Sequence, residues 1–363
     1  DGSLESNDVG TSGIFHKLGY RGCPIAQLSI GDRDDCRGYL VGEPHRGLMY
    51  MFQMMNEARI GVGMGAAAMA TAAYYAALDY AGMRTQGRPV GEKDPSREPV
   101  CIIEHADVKR MLLFQRAVCE GSLALLLQCS RYVDERKVGN AEKRDKFGML
   151  LDLLTPVAKT YPSEAGLSAI SLGLQCFGGS GYCDDYPLEQ YYRDARIHPI
   201  HEGTTGIHGI DLLGRKISMK QGKAFELYLA EVEKTMGKAN AFPALSPLAV
   251  SLGEMFQGLR EVTEHLARVQ AAHGAARGLC DATLYLEAFG ILTVAWQWLK
   301  QAIAAETALS GNLKAGEKDF YEGKRHTCRF FFAYEVPKCR GLFHRLKNTD
   351  GITVDMPPEW FSD

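Results

Sequence analysis

From Leu48 onward the apolar positions of this 363-residue chain recur three and four residues apart, and that period sets the expected architecture. Met51, Met54, Met55, Ala58 and Val62 follow it, and an Ala/Gly/Met-rich run extends it to residue 83. One long helix is predicted there. Its small residues, Gly61, Gly63 and Gly65 to Ala68, allow another helix to approach closely, although each interior glycine costs ~1 kcal/mol relative to alanine. A polar break with Gly87, Pro89, Gly91, Pro95 and Pro99 follows, and helical patterning resumes over residues 105–136. A third helix is expected over 144–161. A fourth is expected from Ser163, which follows Pro162 as a capping residue, to the stop at Gly178-Gly179. Four helices with short links predict an antiparallel bundle.

The segments on either side read differently. Residues 1–46 mix Gly and Asp with short apolar runs, Ile25-Ala26-Gln27-Leu28-Ser29-Ile30 and Gly38-Tyr39-Leu40-Val41-Gly42. These are expected strands, too few to stand as a sheet domain alone. The segment is therefore read as the truncated end of a β-domain. Past Lys216 the composition turns more charged. Stripes at Phe225, Tyr228, Leu229, Val232 and Met236, at Leu252 to Val269, at Leu284 to Ile303 and at Phe320 to Leu346 predict a second all-helical domain over 222–363. Pro243 and Pro247 mark the linker between its first two helices. It holds no catalytic constellation, and its Trp and Phe residues are expected in its core. The organisation is thus mainly α: a β-remnant over 1–46, a bundle over 47–217 and the trailing helical domain.

With 46% hydrophobic and 23% charged residues, the chain can bury a large core. A formal net charge of −3, with no Lys/Arg run interleaved with aromatics, argues against nucleic acid. Ten cysteines without a CxxC pair indicate neither a disulfide framework nor a zinc ribbon and fit a reducing compartment. The location expected is cytoplasmic, or the mitochondrial matrix in a eukaryote. Charges or glycines interrupt the apolar stretches before ~20 residues, so no membrane-spanning helix is expected. Asp1-Gly2-Ser3 lacks a signal-peptide pattern, and with no initiator Met the chain is read as a fragment or a processed product.

Candidate chemistry concentrates in His198-Pro199-Ile200-His201-Glu202-Gly203-Thr204-Thr205-Gly206-Ile207-His208. One carboxylate lies among glycines and hydroxyls just before an apolar helical segment, so Glu202 is a candidate base; the alternative is a surface Glu at a helix start, stabilised by the dipole. His201-Glu202 also begins an H-E-x-x-H motif. Position 205 is Thr, so the second ligand is missing and no metal site is expected. Upstream, Gly178, Gly179 and Gly181 follow Gln175-Cys176-Phe177. Such glycines let the main chain donate N–H groups to a pyrophosphate or ribose, or else simply stop the helix in a turn.

These blocks, in order with Met55-Asn56-Glu57-Ala58-Arg59, Arg84-Thr85-Gln86-Gly87-Arg88 and Ile103-Glu104-His105-Ala106-Asp107-Val108-Lys109-Arg110-Met111-Leu112, resemble the flavin-dependent acyl-CoA dehydrogenases. The resemblance runs from Gly42 to Lys216 and is to the larger subgroup that carries an added C-terminal helical domain. It implies that Glu202 removes the α-proton of an acyl-CoA while the flavin takes the β-hydride. Gly203 would let the substrate approach, with Asn56 and Arg59 beside the CoA moiety. The cofactor implied is FAD, contacted by Arg84, Gln175, Cys176, Phe177, Gly178, Gly179, Thr204 and Gly206, with the Gln175 block on the ADP half held by a neighbouring subunit. Arg59 could equally be a structural arginine paired with Asp or Glu. A homo-oligomer is implied, as is an electron acceptor such as an electron-transfer flavoprotein. His201 stands where the family usually has Tyr, Gly206 where it often has Gln, and Ala58 where some relatives place the base. Family members precede the matched region with an N-terminal helical domain and most of a β-domain. The expectation is therefore an acyl-CoA dehydrogenase without its first half, or else a catalytically silent helical module that serves assembly or binding.

Overall fold

The computed structural model describes residues 2–362, the side chains of Phe52, Gln53 and Asn56 excepted. Near the N-terminus, β1 (Val9–Ile14) pairs antiparallel with β2 (Ala26–Ile30), with an irregularity between Thr11 and Gly13. The expected strand at Gly38 to Gly42 does not form. Tyr39, Leu40 and Val41 are all exposed there, and the run has no neighbouring strand to bond.

Three long helices follow: α1 (Gly47–Met83), α2 (Ala106–Val138) and α3 (Ala141–Phe177). Asn140 caps α3, its side chain accepting from Lys143 N–H at 3.0 Å. The expected break at Pro162 is absent, and the third and fourth helices of the sequence reading are one. Pro162 lacks the N–H that would bond the Ala158 carbonyl. That carbonyl instead faces α1 at Gly63, where an added Cβ would lie 2.1 Å from it. The bare glycine lets the helices close on a carbonyl that proline has left unpaired. The bundle is therefore built on three long helices, with short α4 (Leu188–Ala195) and α5 (Thr205–Asp211) after them. A π-helical turn, Leu212–Lys216, continues α5.

The remaining helices are α6 (Lys223–Ala239), α7 (Ser246–His273), α8 (Ala275–Leu279), α9 (Ala282–Leu309), α10 (Glu317–Tyr334) and α11 (Lys338–Lys347). The stripe from Phe320 to Leu346, read as one helix, is interrupted around Pro337. Trp296, Trp298, Phe289 and Phe331 are buried as expected. One hydrophobic core runs without a break from Leu125, Leu153 and Val157 in the bundle to Tyr228, Leu259, Leu292 and Phe331 in the trailing helices. Trp298 joins the two parts: its indole N–H donates to the Ala117 carbonyl of α2 at 2.9 Å. Gly121 forms the notch that receives it, since a Cβ there would lie 2.5 Å from Val294 and 2.8 Å from the indole nitrogen.

Three segments run against the expectation of no spanning helix. Segments Glu57–Met83, Ala106–Val138 and Ala275–Leu309 are long and apolar enough to cross a membrane by length and composition. The scattered charges and glycines do not lower the mean hydropathy of these windows enough to exclude one. In the latter two, 61% and 67% of the window is buried against the rest of the protein.

Candidate active site

The loop between α4 and α5 carries Glu202 in an unusual backbone state. Its φ is +55° and that of Gly203 is +98°. A non-glycine residue in the left-handed region costs roughly 1 kcal/mol and persists only when its surroundings fix it. Four contacts do so here. His208, on α5 and fully buried, donates its Nε2–H to the Glu202 carbonyl at 3.2 Å, since a carbonyl can only accept. Lys159, from the middle of α3, donates Nζ–H to the Gly203 carbonyl at 2.8 Å. Thr205 donates its N–H to the Pro199 carbonyl at 3.1 Å and its hydroxyl to Glu164 of α3. Gly203 is required twice: for its φ, and because a Cβ would lie 2.8 Å from His208 Nε2.

The Glu202 side chain is half-buried. It faces Arg59, Lys159 and His201 and favours the charged form of each. Burial pushes the Lys159 ammonium down to about 8 and the His208 imidazole down to about 4, so His208 is neutral near pH 7. Burial likewise lowers Arg59 and, together with Lys159, His201. Arg59 itself is only 7% exposed and lies 3.9 Å from Asp211, with its Nε unpartnered. The other carboxylate oxygen of Asp211 accepts from Arg215 at 2.7 Å. Asn56 lies on α1, and its side chain is outside the described residues.

Beside this loop a cavity of about 750 Å³ opens between α1 and the N-terminal segment. Ala58, Gly61, Val62 and Gly65 form one wall, and Leu18, Tyr20, Ile25, Ile197, His198, Ile200 and His201 contribute to the others. His198 is buried and held down to about 4, chiefly by burial, and its Nε2 is 3.0 Å from the Tyr20 hydroxyl. Asp194 accepts from Tyr20 N–H at 2.6 Å, anchoring the N-terminal segment to α4.

At the far end of α3 the structure gathers the second set of candidates. Arg84, Gln175, Cys176, Phe177, Gly178 and Gly179 line one groove of about 580 Å³ with Tyr80, His105 and Ser180. Gly178 has φ +59°, and a Cβ at Gly178 or Gly179 would meet nothing within 4 Å, so the main chain there is open to a ligand. The Arg84 guanidinium is exposed and donates to the Gln86 side-chain oxygen at 3.3 Å. Phe177 stacks on Tyr80 at 4.1 Å between ring centroids. Cys176 turns inward: its Sγ is 3.8 Å from Gln115 Nε2, and burial raises the thiol to about 11. Its side chain is therefore a packing group.

Thr204 and Gly206 do not join this groove. Thr204 is exposed at the start of α5, its hydroxyl not used as a cap, and Gly206 is half-buried near Thr283. Lys159, beside the Glu202 loop, and Gln175, at the groove, are sixteen residues apart on α3, or about 24 Å along its axis. The sequence reading assigned no role to Lys159, Glu164 or Tyr20, nor to His198 and His208, although these two lie in the run that it singles out. Lys159 carried a signal in being a lone cation between Pro156 and Pro162 in an apolar run. Among the described residues no group of three His, Cys, Asp or Glu side chains is placed to hold a metal ion.

This helical bundle carries a carboxylate loop and, at the far end of α3, a groove of open glycine main chain. The family model described as acyl-CoA dehydrogenase, C-terminal domain, matches residues 45–217, and one described as acetyl-CoA dehydrogenase C-terminal like matches 228–357. The chain belongs to the acyl-CoA dehydrogenase family. It is 36% identical over 348 residues to the 3-methylmercaptopropionyl-CoA dehydrogenase of Ruegeria pomeroyi, covering 95% of this chain and 57% of that protein. Caenorhabditis elegans ACDH-11, solved in complex with C11-CoA, superposes with a TM-score of 0.73 at 21% identity, over 96% of this chain and 55% of that one. A Bacillus anthracis acyl-CoA dehydrogenase complexed with FAD gives 0.68 at 18%, over 94% and 60%. At those identities the likeness to the two structures is one of fold. The chain spans less than two thirds of the length of each of these relatives.

Proposed function

We propose that this chain carries the proton-abstracting part of a flavin-dependent α,β-dehydrogenation of an acyl-CoA thioester, with Glu202 as the base. The observation that carries the reading is the Glu202 turn, held in a left-handed conformation by four contacts from three elements beside a largely apolar cavity. A thioester α-hydrogen is weakly acidic, so its removal needs a carboxylate fixed in position and partly shielded from water. Glu202 meets both conditions. Its carboxylate accepts the proton, and the small residues of α1 leave room for the acyl chain in the cavity. Neutral His208 fixes the loop without adding charge.

The second groove fits the phosphate-bearing end of FAD. Open glycine main chain and an exposed, planar guanidinium are the donors such a group needs. Arg84, Gln175, Phe177, Gly178 and Gly179 would hold it. When bound, FAD supplies the acceptor for the β-hydrogen. The separation of about 24 Å between groove and Glu202 loop supports a symmetric assembly in which each chain gives its base to one flavin and its groove to the flavin of a second copy.

Glu202→Gln tests the base. The amide keeps the shape and loses the basicity, so turnover of acyl-CoA should fall by roughly 10²–10⁴ with flavin content and fold unchanged. Turnover close to that of the parent would remove Glu202 from the mechanism.

A further inference from the structure

We propose that Lys159 is the positioning residue of the Glu202 turn: its buried ammonium holds the Gly203 carbonyl and so keeps Glu202 in place for proton abstraction. This rests on Glu202 being the base. Lys159 is fully buried in the middle of α3, and an ammonium there is tolerated only where something repays its lost hydration. The Gly203 carbonyl is the hydrogen-bond acceptor seen at Nζ. Replacing this lysine by an apolar residue of similar length would make α3 easier to bury, so packing alone does not account for it. What it does supply is a fixed charge and a hydrogen bond aimed at the residue after the base.

The charged and titratable groups around Lys159 come from every element packed on it. Arg59 projects from α1, Glu164 from α3 one turn on, His198, His201 and Glu202 from the loop, and His208 from α5. Glu164 and Glu202 favour the ammonium; Arg59 opposes it. Its own acidity near pH 8 means that it is charged at neutral pH and loses its proton as pH rises through that value. The turn then keeps only the weaker hydrogen bond of an amine.

The test is the pH dependence of kcat/KM for the flavin-loaded enzyme, read with butyryl-CoA and longer straight-chain thioesters and a dye acceptor. The parent should lose activity above about pH 8. Lys159→Met should lose that alkaline limb and fall at least tenfold at its optimum. Lys159→Gln keeps a donor without the charge; it should recover part of the lost rate and still lack the alkaline limb. Lys159→Arg keeps a charged donor and should recover rate without the alkaline limb. Glu202→Gln run alongside separates the two ideas. If it is inactive while the Met variant superposes on the parent at every pH, the role of Lys159 is overturned and the base assignment stands. If Glu202→Gln retains turnover, or the parent turns over no thioester at any pH, both fall. A parent profile flat from pH 7 to pH 10 overturns the proposal without any variant.

Discussion

Alanine at Gly63 should destabilise the protein, and alanine at Gly61, two residues earlier on the same helix, should stabilise it. Both glycines lie inside α1, where the conformational term favours alanine by up to about 1 kcal/mol. At Gly61, which is exposed, a Cβ meets nothing within 4 Å, so that gain stands alone. At Gly63 the added carbon would lie 2.1 Å from the Ala158 carbonyl oxygen and 2.9 Å from Leu126 Cδ2. The leucine can rotate away, but the carbonyl is main chain in the middle of α3. Relief requires α1 and α3 to separate by about 1 Å, and overpacking typically costs about 1–3 kcal/mol. The upper end applies when backbone must move, so the net loss is about 2 kcal/mol after the propensity gain is subtracted. Urea unfolding followed by circular dichroism reads both variants, with the difference taken from the midpoints at unchanged slope. A Gly63→Ala protein as stable as the parent would refute the close contact at Pro162 and with it the account of why α3 runs on as a single helix.

Arg84→Ala should weaken FAD retention while leaving the melting temperature of the flavin-free protein unchanged, because the side chain is exposed and its guanidinium donates to the Gln86 side chain; normal flavin content after gel filtration would count against the groove. Lys159 also makes a signed prediction for stability. Its folded value, about 8, lies below the ordinary 10.5, so between those pH values the unfolded chain binds the proton more tightly and the parent gains stability over Lys159→Met as pH rises. The gain is lost again as pH falls through 8. It amounts to at most about 3 kcal/mol across the window, and equal unfolding midpoints for the two proteins at pH 8 and pH 10 would show that the ammonium is not buried.

Helix α1, the start of α2 and the stripes of α6, α7 and α9 were legible because their apolar period is local, carried by residues within a few turns of one another. The misread places depend on distant partners. Pro162 reads as a helix stop until Gly63 is brought against Ala158, and the run at Gly38 to Gly42 reads as a strand until the neighbouring strand is found missing. The site divides in the same way. The glycine block and Arg84 were named from the sequence and share a groove. Lys159 was not, since its partner is 44 residues away and only the fold joins them. For Arg59 the sequence left two roles open, and it could not show that the fold brings Asp211, on another helix, to within 3.9 Å.

The notch at Gly121 has a consequence for how the two matched segments relate. Its bare Cα makes room for Trp298, which belongs to the second segment, and Trp298 in turn is bonded to the main chain of the first. A helix with no tryptophan to receive would gain from alanine at that point. The glycine of the leading segment is thus shaped to the tryptophan of the trailing one, and one hydrophobic core spans the division between residues 217 and 228. Cutting the chain at that division would leave an open socket on one piece and a stranded indole on the other, so neither piece inherits the stability of the whole.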